Sequence, residues 1–103
     1  MVKVSVLYPN SAGITFDMPY YLNSHMPMVK QKLGAACRRL DVDAGLGGAQ
    51  PGSKPAFVAM ANLLFDSVDE FQRAFGPHAD SIMGDIPNYT DIQPLIQVNE
   101  VKM

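Results

Sequence analysis

The sequence predicts an α+β fold with the element order βαββαβ. Four segments alternate with the period of a strand, two show helical spacing, and the third strand segment is apolar on both faces. A compact solution for this order is a ferredoxin-like antiparallel sheet with spatial order 4-1-3-2 and both helices on one face. Because 103 residues provide for one core, we expect a single domain over residues 1–103.

The strands are predicted from alternation and from strand-ending turn residues. Residues 2–8 and 38–46 alternate between two faces, and both segments are followed by turn-forming residues. Residues 55–65 are apolar on both faces, which favours a central strand covered twice. The last strand is predicted over residues 92–101. It contains Pro94, which lacks a backbone donor, so we expect it at an edge of the sheet.

The helices are predicted from apolar spacing and capping signals. The first covers residues 16–33 and contains Pro27 in its interior. Because proline removes a backbone hydrogen bond, we expect Pro27 to kink or loosen the turn that carries His25. The second helix begins at Ser67, which is followed three residues later by Glu70 in the pattern of a capping box.

Two helices on one face leave the other face of the sheet uncovered. Leu7 and Leu95 are expected there, mixed with polar residues and with one of the two sets of third-strand side chains. The sequence does not fix the register that decides between those two sets. Either set leaves a large apolar patch, which a second copy of the chain would bury. We therefore expect a homodimer formed through the sheet.

Composition excludes several classes of partner. The net charge of −2 provides no concentrated basic surface, so we expect neither nucleic acid nor an anionic membrane as a partner. The single cysteine, Cys37, cannot form an internal disulfide and suits a reducing cytoplasm. No segment resembles a leader peptide or is long enough to span a bilayer, so we expect a cytoplasmic protein. The glycines of residues 45–53 match no phosphate-loop spacing, and we expect no cofactor.

His25 is the first candidate catalytic residue, together with Tyr21. Helical spacing of four residues places the imidazole and the phenol on one face. An imidazole exchanges a proton near neutral pH, which suits an acid or base. The alternative is a core histidine that only hydrogen bonds to a backbone carbonyl.

Four further residues are candidates for substrate binding. Asn62 interrupts an apolar strand and needs a partner if it is buried, so it can face a pocket. Met60 would give a soft lining for an apolar ligand. Phe16 precedes the first helix, and His78 follows a Gly-Pro pair, where it could instead cap a short helix. A metal site is not expected, because no further ligands stand at a recognisable spacing from the two histidines.

Asp85 and Asn88 follow the second helical region. Asp and Asn are common in turns because their side chains hydrogen bond to nearby backbone. Both residues are therefore interpreted as local turn formers.

Several separated segments resemble a known family, named EthD after a gene set for ether degradation. The resemblance covers nearly the whole chain and is carried by Val6-Leu7-Tyr8-Pro9, Tyr20-Tyr21-x-x-x-His25-Met26-Pro27, Phe75-Gly76-Pro77-His78-Ala79-Asp80 and Asp85-Ile86-Pro87-Asn88-Tyr89-Thr90-Asp91. It implies a dimeric α+β barrel. It also implies a role in oxidative catabolism, associated with an oxidoreductase or oxidising enzyme system. Proteins that share this barrel include cofactor-independent monooxygenases and polyketide cyclases.

Two functions stay open at this point. In the first, the chain is an enzyme that holds an apolar or aromatic small molecule between sheet and helices, with His25 as acid or base and Tyr21 and Asn62 orienting substrate oxygens. In the second, it is a non-catalytic ligand-binding or accessory protein in which the same groups only hydrogen bond. A measurement of catalytic turnover, as opposed to ligand binding alone, would distinguish these two functions.

Overall fold

The computed structural model describes residues 1–103 and confirms the α+β fold with the expected strand order. One antiparallel sheet has the order β2-β3-β1-β4. Its strands are β1 (Val2–Pro9), β2 (Arg39–Ala44), β3 (Phe57–Phe65) and β4 (Leu95–Glu100). The doubly apolar β3 is central, as its sequence predicts, and β2 and β4 form the two edges.

The helices form two segments that cover one face of the sheet. The first consists of α1 (Met18–Tyr20), a π-helical turn (Tyr21–His25) and α2 (Met26–Leu33). The second consists of α3 (Val68–Phe75), a 3-10 turn (Gly76–His78) and α4 (Ala79–Gly84), followed by a 3-10 turn at Ile86–Asn88. No helix has the length and apolar character that crossing a membrane requires.

Side-chain caps fix where the helices begin. The Asp17 carboxylate accepts a hydrogen bond from the backbone N–H of Tyr20 at 3.0 Å, which satisfies a free donor of the first turn. The hydroxyl of Ser67 accepts from the N–H of Glu70 at 3.1 Å, as the capping box predicts. The first helix therefore begins at Met18, after its cap, two residues later than the predicted boundary at residue 16.

A π-helical turn stands where the sequence predicts only a loosened helix. The N–H of Met26 bonds to the carbonyl of Tyr21, five residues earlier, and Pro27 follows within the first two residues of α2. A proline in an α-helix clashes with the carbonyl four residues before it and cannot donate to it. Widening the preceding turn relieves that conflict, and such π turns are frequent at functional sites.

The expected position of Pro94 inside the last strand is wrong. β4 begins at Leu95, so Pro94 lies just before the ladder with β1. The edge position of β4 therefore follows from the strand order and does not depend on the proline.

The register settles which β3 residues face the helices. Alternate residues of β3, namely Ala59, Ala61, Leu63 and Phe65, are buried beneath the helices with Val4 and Tyr8 of β1. Asn62 pairs with Ser5, and Met60 pairs with Leu7, on the opposite face. The helix-free face is consequently mixed: it carries apolar Leu7, Met60, Leu64 and Leu95, a hydrogen-bonded group of Ser5, Asn62 and Asn99, and charged Lys3, Arg39, Asp41 and Asp43.

Gly34 ends α2 in a conformation that only glycine adopts easily, with φ 62° and ψ −148°. A methyl group added there would meet no atom within 4 Å, so backbone strain alone sets the effect of a substitution. We expect Gly34→Ala to lower the free energy of unfolding by about 1–3 kcal/mol in denaturant titration.

The matched control is Gly84→Ala, since Gly84 lies at the end of α4 with equally open space and no positive φ. We expect this variant to be neutral or more stable by up to about 1 kcal/mol. Equal losses for the two variants would contradict the interpretation of Gly34.

Candidate functional site

A cluster of aromatic rings lies between β1 and the first helical segment. Tyr8 and Tyr21 are almost completely buried, and their ring centroids lie 5.6 Å apart at 81°. Phe16 packs edge-on against both rings, at 5.0 Å and 5.1 Å. Tyr89 contacts Tyr21 at 4.9 Å. The small side chains of β3 next to Tyr8 leave the space that these rings fill.

Backbone contacts between two distant segments hold Tyr89 in this cluster. Phe16 forms an isolated β-bridge with Thr90, and the N–H of Asp17 bonds to the carbonyl of Tyr89 at 2.7 Å. The hydroxyl of Thr90 donates to the carbonyl of Thr15 at 2.6 Å. The start of the first helical segment and the approach to β4 are thereby fastened together, with Tyr89 between them.

The π-helical turn presents His25 beside Tyr21. The two rings are stacked, with centroids 5.5 Å apart and an interplanar angle of 13°. His25 is 3% exposed, and its ring lies 4.6 Å from that of Tyr89. Spacing of four residues predicts this pairing, and the wide turn brings both side chains onto the sheet-facing side of the helix.

Asp85 is the hydrogen-bond partner of His25. Its Oδ2 lies 2.9 Å from His25 Nδ1, while Oδ1 accepts from the hydroxyl of Tyr20 and from the side-chain amide of Asn88, each at 2.8 Å. One carboxylate therefore receives three donors from two parts of the chain. The aspartate side chain is 18% exposed, so it connects the buried imidazole with the surface.

The pKa directions define the charge state of this pair. Burial lowers the pKa of His25 below its usual 6.5, and the hydrogen bond that its ring donates to the charged Asp85 opposes this only in part. Burial favours the neutral form of Asp85, but the donors from Asn88, His25 and Tyr20 outweigh that effect and lower its pKa. At neutral pH the arrangement is a neutral imidazole whose Nδ1–H donates to an ionised carboxylate.

A chain of hydroxyl groups leads from the imidazole towards the sheet. With Nδ1 protonated, Nε2 is an acceptor, and the Tyr89 hydroxyl lies 3.5 Å from it. The Tyr8 and Tyr89 hydroxyls are 2.8 Å apart, and either could donate. The tautomer that Asp85 selects therefore leaves Nε2 as an acceptor that faces this pair of hydroxyls.

An apolar cavity of about 80 Å³ adjoins this chain, between the sheet and the helices. Fifteen of its 17 lining residues are hydrophobic, and the lining residues that carry a side-chain polar atom are His25, Tyr8, Tyr21 and Tyr89. Met83 and Ile96 line it and are exposed, so they mark the side on which it opens.

The Tyr21 hydroxyl is the one buried side-chain polar group without a hydrogen-bond partner. Tyr8 is close enough to raise the pKa of the Tyr21 phenol, but neither Tyr8 nor any other group lies in hydrogen-bond geometry with the Tyr21 hydroxyl. Burial raises the pKa of Tyr21 far above its usual range, so the phenol stays protonated. A buried hydroxyl without a partner has a cost of about 1–3 kcal/mol, which a ligand in the cavity could remove.

A family model described as the EthD domain matches residues 16–93, which include Tyr21, His25, Asp85 and Tyr89. The chain belongs to the EthD family. This confirms the resemblance found in the sequence.

Solved structures agree with the assignment to the EthD family. An EthD-like protein from Ralstonia eutropha JMP134 is 48% identical over 99% of this chain and 92% of its own, with a TM-score of 0.94. An EthD family protein from Bacillus halodurans C-125 is 20% identical over 99% of both chains, with a TM-score of 0.67. An Arabidopsis thaliana protein, 10% identical over 100% and 97% of the two chains, shares the fold with a TM-score of 0.70. No curated protein matches the chain.

The EthD fold brings three of the six predicted site residues together. His25 and Tyr21 line the cavity, and Phe16 packs on the Tyr21 ring from behind. Asn62 and Met60 do not belong to this site, because strand alternation places them on the helix-free face, where Asn62 accepts a hydrogen bond from Ser5. His78 lies partly buried in the 3-10 turn before α4 and is not a lining residue.

The residues of the candidate site that sequence reasoning missed are Tyr8, Asp85 and Tyr89. Asp85 does make the expected local contact with Asn88, but it also bonds to His25, 60 residues away. Nothing in local spacing shows such a contact. The usable signal was that Tyr8, Asp85 and Tyr89 all stand within the segments that resemble the EthD family.

The pH dependence of stability follows from these pKa directions. Between the lowered native pKa of His25 and 6.5, the unfolded chain binds a proton that the native protein does not. Acidification through this window therefore favours unfolding, and Asp85 adds to the loss as the pH falls from 3.8 through its lowered native pKa. We expect the free energy of unfolding to decrease from about pH 7.5 to pH 5.

Denaturant titrations at several pH values measure this slope. His25→Gln should flatten it, whereas His78→Gln, which removes the other histidine, should leave most of it in place. A slope that disappears with His78→Gln and persists with His25→Gln would contradict the assignment.

Proposed function

We propose that this EthD protein binds a small apolar or aromatic molecule in the cavity beneath its first helical segment, where His25 exchanges a proton with the ligand. The observation that carries the proposal is the hydrogen-bond chain from Asp85 through His25 and Tyr89 to Tyr8, which borders an apolar cavity. An apolar cavity with a few convergent polar groups is the usual form of a small-molecule site.

The charge states suit general-base chemistry. Because the pKa of His25 is lowered, its neutral form, which accepts protons, is the dominant one at neutral pH. When the imidazole takes a proton, the carboxylate of Asp85 stabilises the imidazolium through the bond to Nδ1. The partial exposure of Asp85 provides a short path by which protons equilibrate with solvent.

The second candidate function is binding without catalysis, as a carrier or as an accessory to an oxidising enzyme system. One observation favours it: the Tyr89 hydroxyl stands next to His25 Nε2 at 3.5 Å, so a ligand would have to displace it or act through it. In this case the chain would only fix the orientation of the ligand. The association with oxidative catabolism that the EthD family name suggests is compatible with either function.

Solvent deuterium exchange into the α-positions of cyclopentanone, followed by proton NMR, tests the first function. This small ketone needs only a base to exchange its α-hydrogens. We expect the protein to accelerate exchange, His25→Gln to reduce the acceleration about 10²-fold or more, and Asp85→Asn to reduce it less. The control variant His78→Gln should match the unmodified protein.

Two results separate the candidates. Exchange that is not faster than in buffer, although the ketone binds, would support the carrier function and contradict proton exchange. Binding can be localised with Met83→Trp, which narrows the mouth of the cavity, and with Leu22→Trp as a control on the exposed side of the first helical segment. Met83→Trp should weaken binding of the ketone and Leu22→Trp should not. If both variants bind the ketone with equal affinity, the ligand is not in this cavity.

We further propose that the helix-free face of the sheet pairs with a second copy of the chain. That face carries Leu7, Met60, Leu64 and Leu95 without any helix of the same chain above them. Its central Ser5–Asn62–Asn99 group is linked by hydrogen bonds within the chain, and Arg39 forms an ion pair with Asp41 at 3.0 Å on the same face, which lowers the cost of covering these polar groups. The barrel implied by the family resemblance has the same arrangement.

Leu95→Asp tests the pairing. Leu95 is 56% exposed in the single chain, so its substitution should hardly affect folding but would bury an unpaired charge in the dimer. We expect light scattering to give a dimer mass for the unmodified protein and a monomer mass for Leu95→Asp. Leu22→Asp, at a position 47% exposed on the helical side, should stay dimeric. A monomer mass for the unmodified protein at micromolar concentration would refute the pairing.

A further inference from the structure

We propose that the cavity selects a small neutral molecule whose polar group is a hydrogen-bond acceptor, such as a carbonyl or ether oxygen, and that the Tyr21 hydroxyl donates to it. This inference rests on the proposed function, because it names the ligand class of the same cavity. It goes further in assigning the recognition of the ligand to Tyr21 and in excluding ionised ligands.

The three tyrosines that line the cavity, Tyr8, Tyr21 and Tyr89, each carry a hydroxyl hydrogen that a ligand could accept. The Tyr8 and Tyr89 hydroxyls lie 2.8 Å apart and share a hydrogen bond, and Tyr89 also lies 3.5 Å from His25 Nε2, so both hydroxyls have a partner within the chain. Tyr21 lines the cavity, and its hydroxyl is buried without a hydrogen-bond partner. Buried donors without an acceptor are rarer in native proteins than oxygens with an unused lone pair. The group that the site lacks is therefore an acceptor.

No lysine, arginine or carboxylate is among the residues that line the cavity. Asp85 lies outside the lining, with its oxygens occupied by three donors. An ionised ligand would lose its hydration without gaining a counter-ion, which is costly in an apolar site. The same burial keeps Tyr21 and Tyr89 as neutral phenols, so these groups supply no charge either.

The cavity of about 80 Å³ is smaller than the roughly 150 Å³ cavity that holds benzene in another protein. This volume suits a ligand with a five-membered ring or a short branched chain, and any larger part of the ligand would project between Met83 and Ile96. A ligand of this kind would place its oxygen at the tyrosines and its apolar part against the aliphatic lining.

The test is a set of binding titrations, followed by protein NMR, with compounds that share a ring. Cyclopentanone carries an acceptor, methylenecyclopentane is its hydrocarbon counterpart, and cyclopentanecarboxylate and cyclopentylammonium carry charges. We expect Tyr21→Phe to raise the Kd of cyclopentanone about three- to tenfold and to leave that of methylenecyclopentane unchanged. Both ionised compounds should bind at least about tenfold more weakly than the ketone.

The substitution also has a readout in the free protein. Removing a buried hydroxyl that has no partner should leave the melting temperature unchanged or raise it. A clear decrease would mean that the hydroxyl has a partner without ligand and would contradict the inference, as would equal binding of the ketone and the carboxylate.

The outcomes distinguish the two proposals. If the ketone and the hydrocarbon bind in the cavity and neither responds to Tyr21→Phe, the ligand class is wrong while the proposed function stands. If none of the four compounds binds, both proposals fail.

Discussion

The Asp85 carboxylate is the contact on which the arrangement of the candidate site depends. Three donors converge on it: the Tyr20 hydroxyl, the Asn88 amide and the Nδ1–H of His25. Two of them come from the first helical segment and one from the turn before β4, so the carboxylate joins elements that are distant in sequence. It also selects the imidazole tautomer, which leaves Nε2 as an acceptor facing the Tyr89 hydroxyl and its neighbour, the Tyr8 hydroxyl.

A second constraint, the π-helical turn at Tyr21–His25, brings the imidazole to that carboxylate. The proline two residues after His25 makes a regular α-helix unfavourable at this point, and the wider turn stacks His25 on Tyr21. The result leaves the Tyr21 hydroxyl buried without a partner. A local cost of this kind is expected where a site is arranged for a ligand and not for maximal stability.

Much of the fold and little of the site could be predicted from the sequence. Strand alternation, the apolar β3 and the Ser67 cap depend on neighbours in sequence. They predict the order of the elements, and the apolar β3 predicts the central position that the strand order confirms. The His25–Tyr21 pair was accessible for the same reason. Asp85 could not be found in this way, because its bond to His25 depends on how the second helical region returns over the sheet. Asn62 and Met60 could not be assigned to a face of the sheet from the sequence, because a shift of one residue in register exchanges the two faces of a strand.

The central claim is that burial keeps His25 a neutral imidazole and that Asp85 fixes its hydrogen on Nδ1, so that Nε2 faces the hydroxyls of Tyr89 and Tyr8. Long-range nitrogen–proton NMR of the protein labelled with ¹⁵N at histidine observes the protonation of both ring nitrogens directly. At neutral pH the account predicts a neutral His25 ring with Nδ1 protonated, and a shift from this state when Asp85 is replaced by Asn. An imidazolium, or a ring protonated at Nε2, would contradict it.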